Sequence, residues 1–291
     1  MPPVLFQAQY YLQHLNLMKQ LLCGIFSLTL DRPLIMGIVN VTPDSFSDGG
    51  KFFVRDQAIA HAQQLIEDGA DMLDIGGEST RPGAAPAGLQ EELDRVMPVL
   101  EAVRESGVPI SIDTQKPDVM KATIAAGASM INDVNALQAD GAIEACQNSS
   151  VAVCLMHRQG TPVTMQLHPE YVDVVREVSA FLRARADACE RAGILPARIV
   201  VDPGFGFGKT AEHNFTLLRE LNSLVQLGYP VLAGYSRKTS LGAVTGRPVG
   251  ARLAASLAAA MIAAQNGATI LRVHDVAETV DVLKVLAAAR K

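Results

Sequence analysis

From Pro33 onward the chain repeats one pattern eight times: a short apolar run, a polar or glycine-rich turn, then a segment with apolar residues at helical spacing. The runs are Leu34–Val39, Met72–Ile75, Pro109–Ile112, Met130–Ile131, Val151–Met156, Ile199–Val201, Pro230–Ala233 and Thr269–Val273. Between them, 56–69 places Ile59, Ala62, Leu65 and Ile66 on one side, and 91–104 does the same with Leu93, Val96, Met97, Leu100 and Val103. Acidic residues open several such segments, and Gly69, Gly107, Gly127, Gly193 and Gly267 close others, as helix ends favour. Continuously apolar strands that alternate with helices indicate a parallel sheet buried on both faces. Eight units in roughly 260 residues predict a closed (β/α)8 TIM barrel rather than an open doubly wound sheet. The open alternative would carry Gly-x-Gly-x-x-Gly after its first strand, and the turn at 40–50, NVTPDSFSDGG, has no such spacing.

Charge and cysteine content narrow the partners. With 25 Lys+Arg against 30 Asp+Glu the net charge is −5, which gives no footprint for nucleic acid or an acidic membrane. Any site for a phosphorylated ligand must be a local concentration of donors and cations. Cys23, Cys146, Cys154 and Cys189 form no CxxC pair and lie in apolar or helical contexts, so a reducing cytosol without disulfides or a cysteine-held metal is expected. The apolar stretch 21–30 is too short to span a bilayer and lacks the flanks of a signal peptide. Residues 1–17 read as an extension or a misassigned start, and 18–291 as a single barrel domain.

A barrel places its chemistry at the C-terminal ends of the strands. At or just past the ends of successive runs stand Asn40; Asp74 with Glu78-Ser-Thr-Arg81; Asp113; Asn132-Asp133; His157-Arg158; Asp202; Ser236-Arg-Lys-Thr239; and Arg272 with His274-Asp275. A single Asp there is commonly a helix cap. Eight polar groups in register point to a site. The loops at about 40–55 and 76–90 are long and rich in Gly, Ser, Pro and Asp, a composition suited to lids. Ser236 has no sequence-adjacent His to form a triad, no histidine spacing offers zinc, and His14, His61, His168 and His213 read as surface or capping residues. The glycine-rich stretch DPGFGFGKT (202–210) ends like a nucleotide-binding loop, but only three residues separate Gly204 from Gly208 where that loop needs four. Taken alone it is ambiguous; placed after the sixth strand, its Gly204, Gly206 and Gly208 let the backbone turn closely under a ligand and Lys209-Thr210 opens the following helix.

Taken together, MGIVNVTPDSFSDGG (36–50), DIGGESTRPGA (74–84), SIDTQKP (111–117), INDV (131–134), MHRQGTP (156–162), DPGFGFGKT (202–210), SRKT (236–239) and RVHDV (272–276) resemble the dihydropteroate synthase family. These are pterin-binding barrels of folate biosynthesis and the target of sulfonamides. The likeness runs from about Leu28 to Ala287. It implies condensation of 6-hydroxymethyl-7,8-dihydropterin pyrophosphate with p-aminobenzoate, releasing 7,8-dihydropteroate and pyrophosphate, by dissociative displacement at the pterin methylene. It implies that Asp202 accepts the pterin's adjacent N–H groups, that Asp113 and Asn132 read the other ring heteroatoms, and that Lys238 bonds the ring's carbonyl and nitrogen. Arg272 would stack on the bicycle and face the diphosphate, joined there by Asn40, Arg81 and His274, with Asn40 also a ligand of Mg²⁺. Asn40, Arg272, His274 and Lys238 would carry the catalysis.

For p-aminobenzoate the resemblance implies a slot made by Pro82 and Phe207, with Thr239 and the helix N-terminus at 238–240 holding the carboxylate and Thr80 and Ser236 also binding this substrate. The chain departs from the usual family pattern at Phe205 and Tyr235, where aliphatics are common, at Arg158, often Met, and at Thr239, often Ser. Two of these, Phe205 and Thr239, would border the second-substrate slot. The family also implies a cytoplasmic homodimer, for which the Ala-rich helix at 251–264 offers a flat surface as well as tight packing on the barrel. A corrinoid methyltransferase barrel could share the Asp and Asn pterin contacts but needs no diphosphate pocket. A pterin-binding paralogue without catalysis and a nucleotide hydrolase are the other readings.

Overall fold

A computed structural model describes residues 20–42, 51–79, 86–160, 165 and 169–290. All eight apolar runs are strands. After an antiparallel hairpin of β1 (Gln20–Cys23) and β2 (Phe26–Thr29) come β3 (Leu34–Asn40), β4 (Met72–Gly76), β5 (Ile110–Asp113), β6 (Met130–Asp133), β7 (Ala152–Met156), β8 (Ile199–Asp202), β9 (Leu232–Ala233) and β10 (Ile270–Val273). The parallel sheet runs β8-β7-β6-β5-β4-β3-β10-β9, and a parallel bridge between Val201 and Val231 joins its two edges. The sheet is therefore closed, as the eightfold pattern predicts.

Register separates two apolar layers. Met36 pairs with Met72 and Arg272 with Met36, while Met130 pairs with Ala152. Met36, Met72, Met130, Ala152, Val200, Leu232 and Ile270 form one buried cluster inside the barrel. Their strand neighbours Ile35, Leu73, Ile131, Val153, Val201 and Leu271 pack instead with the apolar faces of the surrounding helices. This alternation sets which residues at the strand ends point inward, because side chains along a strand change face at every step.

The hairpin is a finding that the sequence pattern does not give. Its strands are four residues long, too short to show a period, yet Leu21 and Cys23 are fully buried in the inner cluster and plug the N-terminal end of the barrel. Burying a side chain such as Leu21 contributes roughly 1.5–3 kcal/mol. The Cys23 thiol donates to the carbonyl of Ser129 at 3.3 Å and the Gly24 amide to Ser150 at 3.1 Å, which fixes the plug to β6 and the entry to β7.

The helices begin earlier than their apolar spacing suggests. The helix α1 (Lys51–Glu67) starts five residues before Asp56, and α2 (Leu89–Val103) starts two before Glu91; α3 (Pro117–Ala125), α4 (Ala142–Gln147) and α5 (Val174–Arg191) follow. Nothing in 51–55 breaks a helix, so α1 begins at Lys51 rather than at Asp56. Gly69, Gly107, Gly127, Gly193 and Gly267 all have left-handed backbone, as helix ends require. The four cysteines are buried and unpaired. Among the described residues no helix is long and apolar enough to cross a membrane. The proposed boundary near residue 18 lies outside the described residues.

Candidate active site

The inward-facing strand ends meet in one polar layer above the apolar plug. Asp74 and Asp113 lie two residues past Met72 and one pleat past Ser111, Asn132 two past Met130, Asp202 two past Val200, and Arg272 two past Ile270. The Arg272 guanidinium donates through Nε to Asp74 at 2.6 Å and through Nη2 to Asp113 at 3.0 Å. The Asn132 amide donates to the same Asp74 oxygen at 3.1 Å. Two of the three guanidinium nitrogens are thus held by carboxylates, so its plane is set before any ligand arrives. Asp74 is the one charged residue of its run, but its place as the anchor of Arg272 depends on a contact across the barrel.

Above this layer a pocket is lined by Asp113, Asn132, Asp202, Lys238 and Arg272, with Phe205 and Phe207 on one side. Val134, Met156 and Gly234 also line it. The sequence reading missed these three, although Met156 and Gly234 follow the same inward alternation as Cys154 and Leu232. Burial pushes the Asp202 carboxyl up to about 6, against the Gly204 amide that donates to Oδ1 at 2.7 Å and the charge of Lys238. Burial likewise raises Asp113 to about 7, with Arg272 pulling it down and Asp74 pushing it further up. Lys238 falls to about 8 because it is buried beside Arg272, while Asp202 opposes the shift. Burial works against the Arg272 charge, but Asp74 and Asp113 outweigh it and hold its proton more tightly than usual. These neighbours make the pocket a place where anionic and cationic groups are forced together, as at functional sites generally.

The stretch 202–210 is where the structure corrects the sequence reading most. Gly204 and Gly208 have left-handed backbone, and a Cβ at either would collide with a carbonyl oxygen of the β7 loop, that of His157 or Gln159. The glycines therefore permit close packing of one loop on another rather than approach to a ligand. Thr210 caps α6 (Ala211–Arg219), its hydroxyl accepting from the His213 amide, so His213 is a capping residue as expected. Lys209 does not simply open that helix. It is 3% exposed, and its ammonium reaches His157 Nδ1 at 3.0 Å and the carbonyls of Phe207 at 3.0 Å, Gly204 at 3.1 Å and His157 at 3.3 Å. A lysine so occupied cannot reach a phosphate, which removes the nucleotide-loop reading. Asn214 holds the loop from the other side, accepting from the Gly206 amide at 2.7 Å. Gly204→Ala is expected to cost at least about 2 kcal/mol from left-handed strain and backbone collision, seen as a thermal midpoint lower by several degrees; an unchanged midpoint would contradict the close packing.

Beyond β9, Ser236 and Lys238 flank Arg237, whose backbone is left-handed (φ 58°), and Lys238 lines the pocket. Strain of this kind persists where neighbours hold it, here an Arg237–Asp275 ion pair and the Arg237 amide donating to Ser256 at 2.9 Å. Ser236 and His274, far apart in sequence, meet at 3.0 Å through Oγ and Nδ1. They still make no triad, because Asp275 is bound to Arg237 and burial, with Arg237 and Arg272 nearby, lowers His274 to about 3. In the site as it stands His274 is therefore neutral, and its imidazole has one N–H to offer an anion. Thr239 is the exposed first residue of α7 (Thr239–Thr245).

The departures from the family pattern also find partners. Phe205 and Tyr235 pack edge to face with ring centroids 4.5 Å apart, so the two aromatics replace an aliphatic contact jointly. Arg158 donates through Nη2 to Asn135 at 3.0 Å. Asn40, at the end of β3, faces Gly76 and lies near Asp113 at the mouth. Beside it the base of the second loop is fixed by Glu78, which accepts from Gln115 at 3.0 Å and pairs with Lys116, itself 2.5 Å from the buried Glu92. Thr80, Arg81 and Pro82, and most of the first long loop, lie outside the described residues.

Residues 36–274 match the family described as pterin binding enzyme. The dihydropteroate synthase of Haemophilus influenzae is 52% identical over 259 residues, spanning 89% of this chain and 94% of that protein. The solved structure of Xanthomonas albilineans dihydropteroate synthase with 4-aminobenzoic acid superposes with a TM-score of 0.89 at 54% identity, covering 94% of this chain and 98% of the other. That of Burkholderia cenocepacia dihydropteroate synthase complexed with 7,8-dihydropteroate gives 0.85 at 50% identity, covering 93% and 96%.

Proposed function

This chain belongs to the dihydropteroate synthase family of pterin-binding enzymes, and from that premise we propose that its barrel mouth joins 6-hydroxymethyl-7,8-dihydropterin pyrophosphate to p-aminobenzoate, giving 7,8-dihydropteroate and pyrophosphate. The observation that carries the assignment to particular residues is the convergence of Asp113, Asn132, Asp202, Lys238 and Arg272 on one pocket above an apolar plug. Asp202 accepts the adjacent N–H donors of the aminopyrimidinone edge; Gly204 uses one lone pair of Oδ1 and leaves the other oxygen for the ligand. Asp113 and Asn132 read the remaining ring heteroatoms, and Lys238 donates to the ring's carbonyl and nitrogen. Arg272, held by Asp74 and Asp113, offers its face to the bicycle and its charge to the diphosphate.

The reaction needs no protein nucleophile. The bond from the pterin methylene to the diphosphate oxygen breaks first, leaving positive charge shared by the methylene and ring; the amino nitrogen of p-aminobenzoate then bonds to that carbon and loses a proton. Catalysis is positioning together with electrostatic stabilisation of the departing anion and the cation. Asn40, Arg81, Arg272 and the neutral His274 form the anion pocket. Among the described residues no three carboxylates, histidines or cysteines are grouped to hold a metal. A single amide oxygen from Asn40 nonetheless fits Mg²⁺, which keeps several waters and binds substrate phosphates. When bound, Mg²⁺ would neutralise charge on the diphosphate. The loops at 40–50 and 76–88 exclude water that would trap the cation.

Phe207, Pro82 and Thr80 form the p-aminobenzoate slot, with Ser236, Thr239 and the helix N-terminus at its carboxylate end, and sulfonamides compete there. Thr239→Val is expected to raise the KM for p-aminobenzoate about 2- to 10-fold, the worth of one hydrogen bond, and to spare the pterin substrate. An effect confined to the pterin substrate counts against this placement. The protein works in the cytoplasm as a homodimer through the Ala-rich α8 (Leu253–Gln265) and α9 (Val276–Ala289), where Leu253, Met261, Ile262 and Val285 are exposed; sedimentation showing a monomer at micromolar concentration would refute the dimer. The reaction itself is tested by mixing both substrates with Mg²⁺ and following pyrophosphate. Release that needs p-aminobenzoate supports the assignment, and folded protein that binds pterin without release makes it a non-catalytic paralogue.

A further inference from the structure

The buried ammonium of Lys209 bonds carbonyls at both ends of the turn 204–207. At one end Gly204 donates its amide to Asp202; at the other Phe207 forms the pocket wall, with the Lys238 ammonium 4.2 Å from its ring centre. The same ammonium reaches His157, which ties the turn to the β7 loop. Lys209 itself does not line the pocket. Asp202 has a second support, because it lies in β8, where it pairs with Met156 and its carbonyl accepts from the His157 amide at 3.0 Å. Phe207 lies beyond the strand, and its own amide makes only a turn bond to Gly204 at 3.1 Å.

We propose that Lys209 is a positioning residue for the second substrate: through the carbonyls of Gly204 and Phe207 it sets the height of the Phe207 ring against Lys238, and so the width of the aromatic-acid slot. It touches neither substrate. The inference rests on the proposed condensation and deepens it, by separating what holds the pterin from what shapes the slot for its partner. The pterin-reading carboxylate is kept in place by the strand ladder, whereas the wall rests on the internal cation, with Asn214 accepting from the Gly206 amide and Tyr171 donating to the Gly208 carbonyl on either side of Phe207. Misplacing a wall by about an ångström weakens a bound aromatic substantially.

The test compares wild type with Lys209→Met, Phe207→Ala and the double variant. It measures the KM for p-aminobenzoate by pyrophosphate release and the equilibrium affinity for a non-reactive pterin analogue. Lys209→Met should raise that KM at least about tenfold and leave pterin affinity within about threefold. Its effect should largely vanish in the Phe207→Ala background, because both changes act on one wall. Should Lys209→Met not fold, Lys209→Gln, whose amide keeps two donors for the carbonyls, is expected to fold and to show an intermediate KM. An unchanged KM, an equal loss of pterin affinity, or effects that add in the double variant would each overturn the inference while the wild type still turns over. A wild type that releases no pyrophosphate would overturn the proposed reaction and this inference with it.

Discussion

Asp202→Asn is expected to lower affinity for the pterin substrate roughly 100-fold, about 3 kcal/mol. The loss follows because the substitution replaces a buried acceptor with an amide whose N–H groups face those of the ring. Asp202 is 5% exposed, so water cannot compensate. The same residue sets a pH dependence. Its folded pKa, pushed up by burial to about 6, means that the carboxylate becomes neutral as pH falls through that value and then offers a donor where an acceptor is required. Pterin affinity of the wild type should therefore fall on going from pH 7.5 to 5.5, a limb shared with Asp113, which burial raises to about 7, and Asp202→Asn should lose only the lower part that Asp202 carries. Calorimetric titration of both proteins with a pterin analogue reads the two effects. Unchanged affinity in the variant would mean that the ring lies elsewhere.

The second large effect is expected at Arg272, where structure and catalysis meet. Arg272→Met leaves Asp74, wholly buried, and Asp113, nearly so, facing each other without their shared cation. Breaking a buried pair on one side costs about 3–5 kcal/mol, a fall in thermal midpoint of order 10 °C for a chain of this size. Turnover should fall by at least about 10²-fold, the usual worth of one fixed donor to developing charge. Arg272→Lys separates the two contributions. It keeps the charge between the carboxylates but cannot serve both with a planar fork, so it should recover much of the midpoint and little of the rate. A lysine variant with full rate would show that the fork is unimportant.

The fold was legible because its signal is repeated. Each strand is a mostly apolar run buried on both faces, and the inward positions of Asp113, Asn132, Asp202 and Arg272 follow from their place at or just past the ends of those runs. What could not be read depends on contacts between distant segments. Nothing in the local sequence of Asp74 tells that it anchors Arg272 some 200 residues away. The Ser236–His274 bond has the same character, and so does the packing of Phe205 on Tyr235. Lys209 misled in the opposite way: its local pattern suggested either a phosphate or a helix start, and the contacts that define it come from His157 and from its own turn. The hairpin at 20–29 escaped because four-residue strands have no period to detect. Thr80, Arg81 and Pro82 keep their proposed roles, outside the described residues.

The most direct test of the central claim is a crystal structure with pterin pyrophosphate and Mg²⁺ bound. The account predicts the aminopyrimidinone edge on Asp202, the bicycle between Met156, Val134 and the Arg272 guanidinium, and the diphosphate toward Asn40 and His274. A pterin held away from Asp202, or a diphosphate cradled by the amides of 204–210, would contradict it.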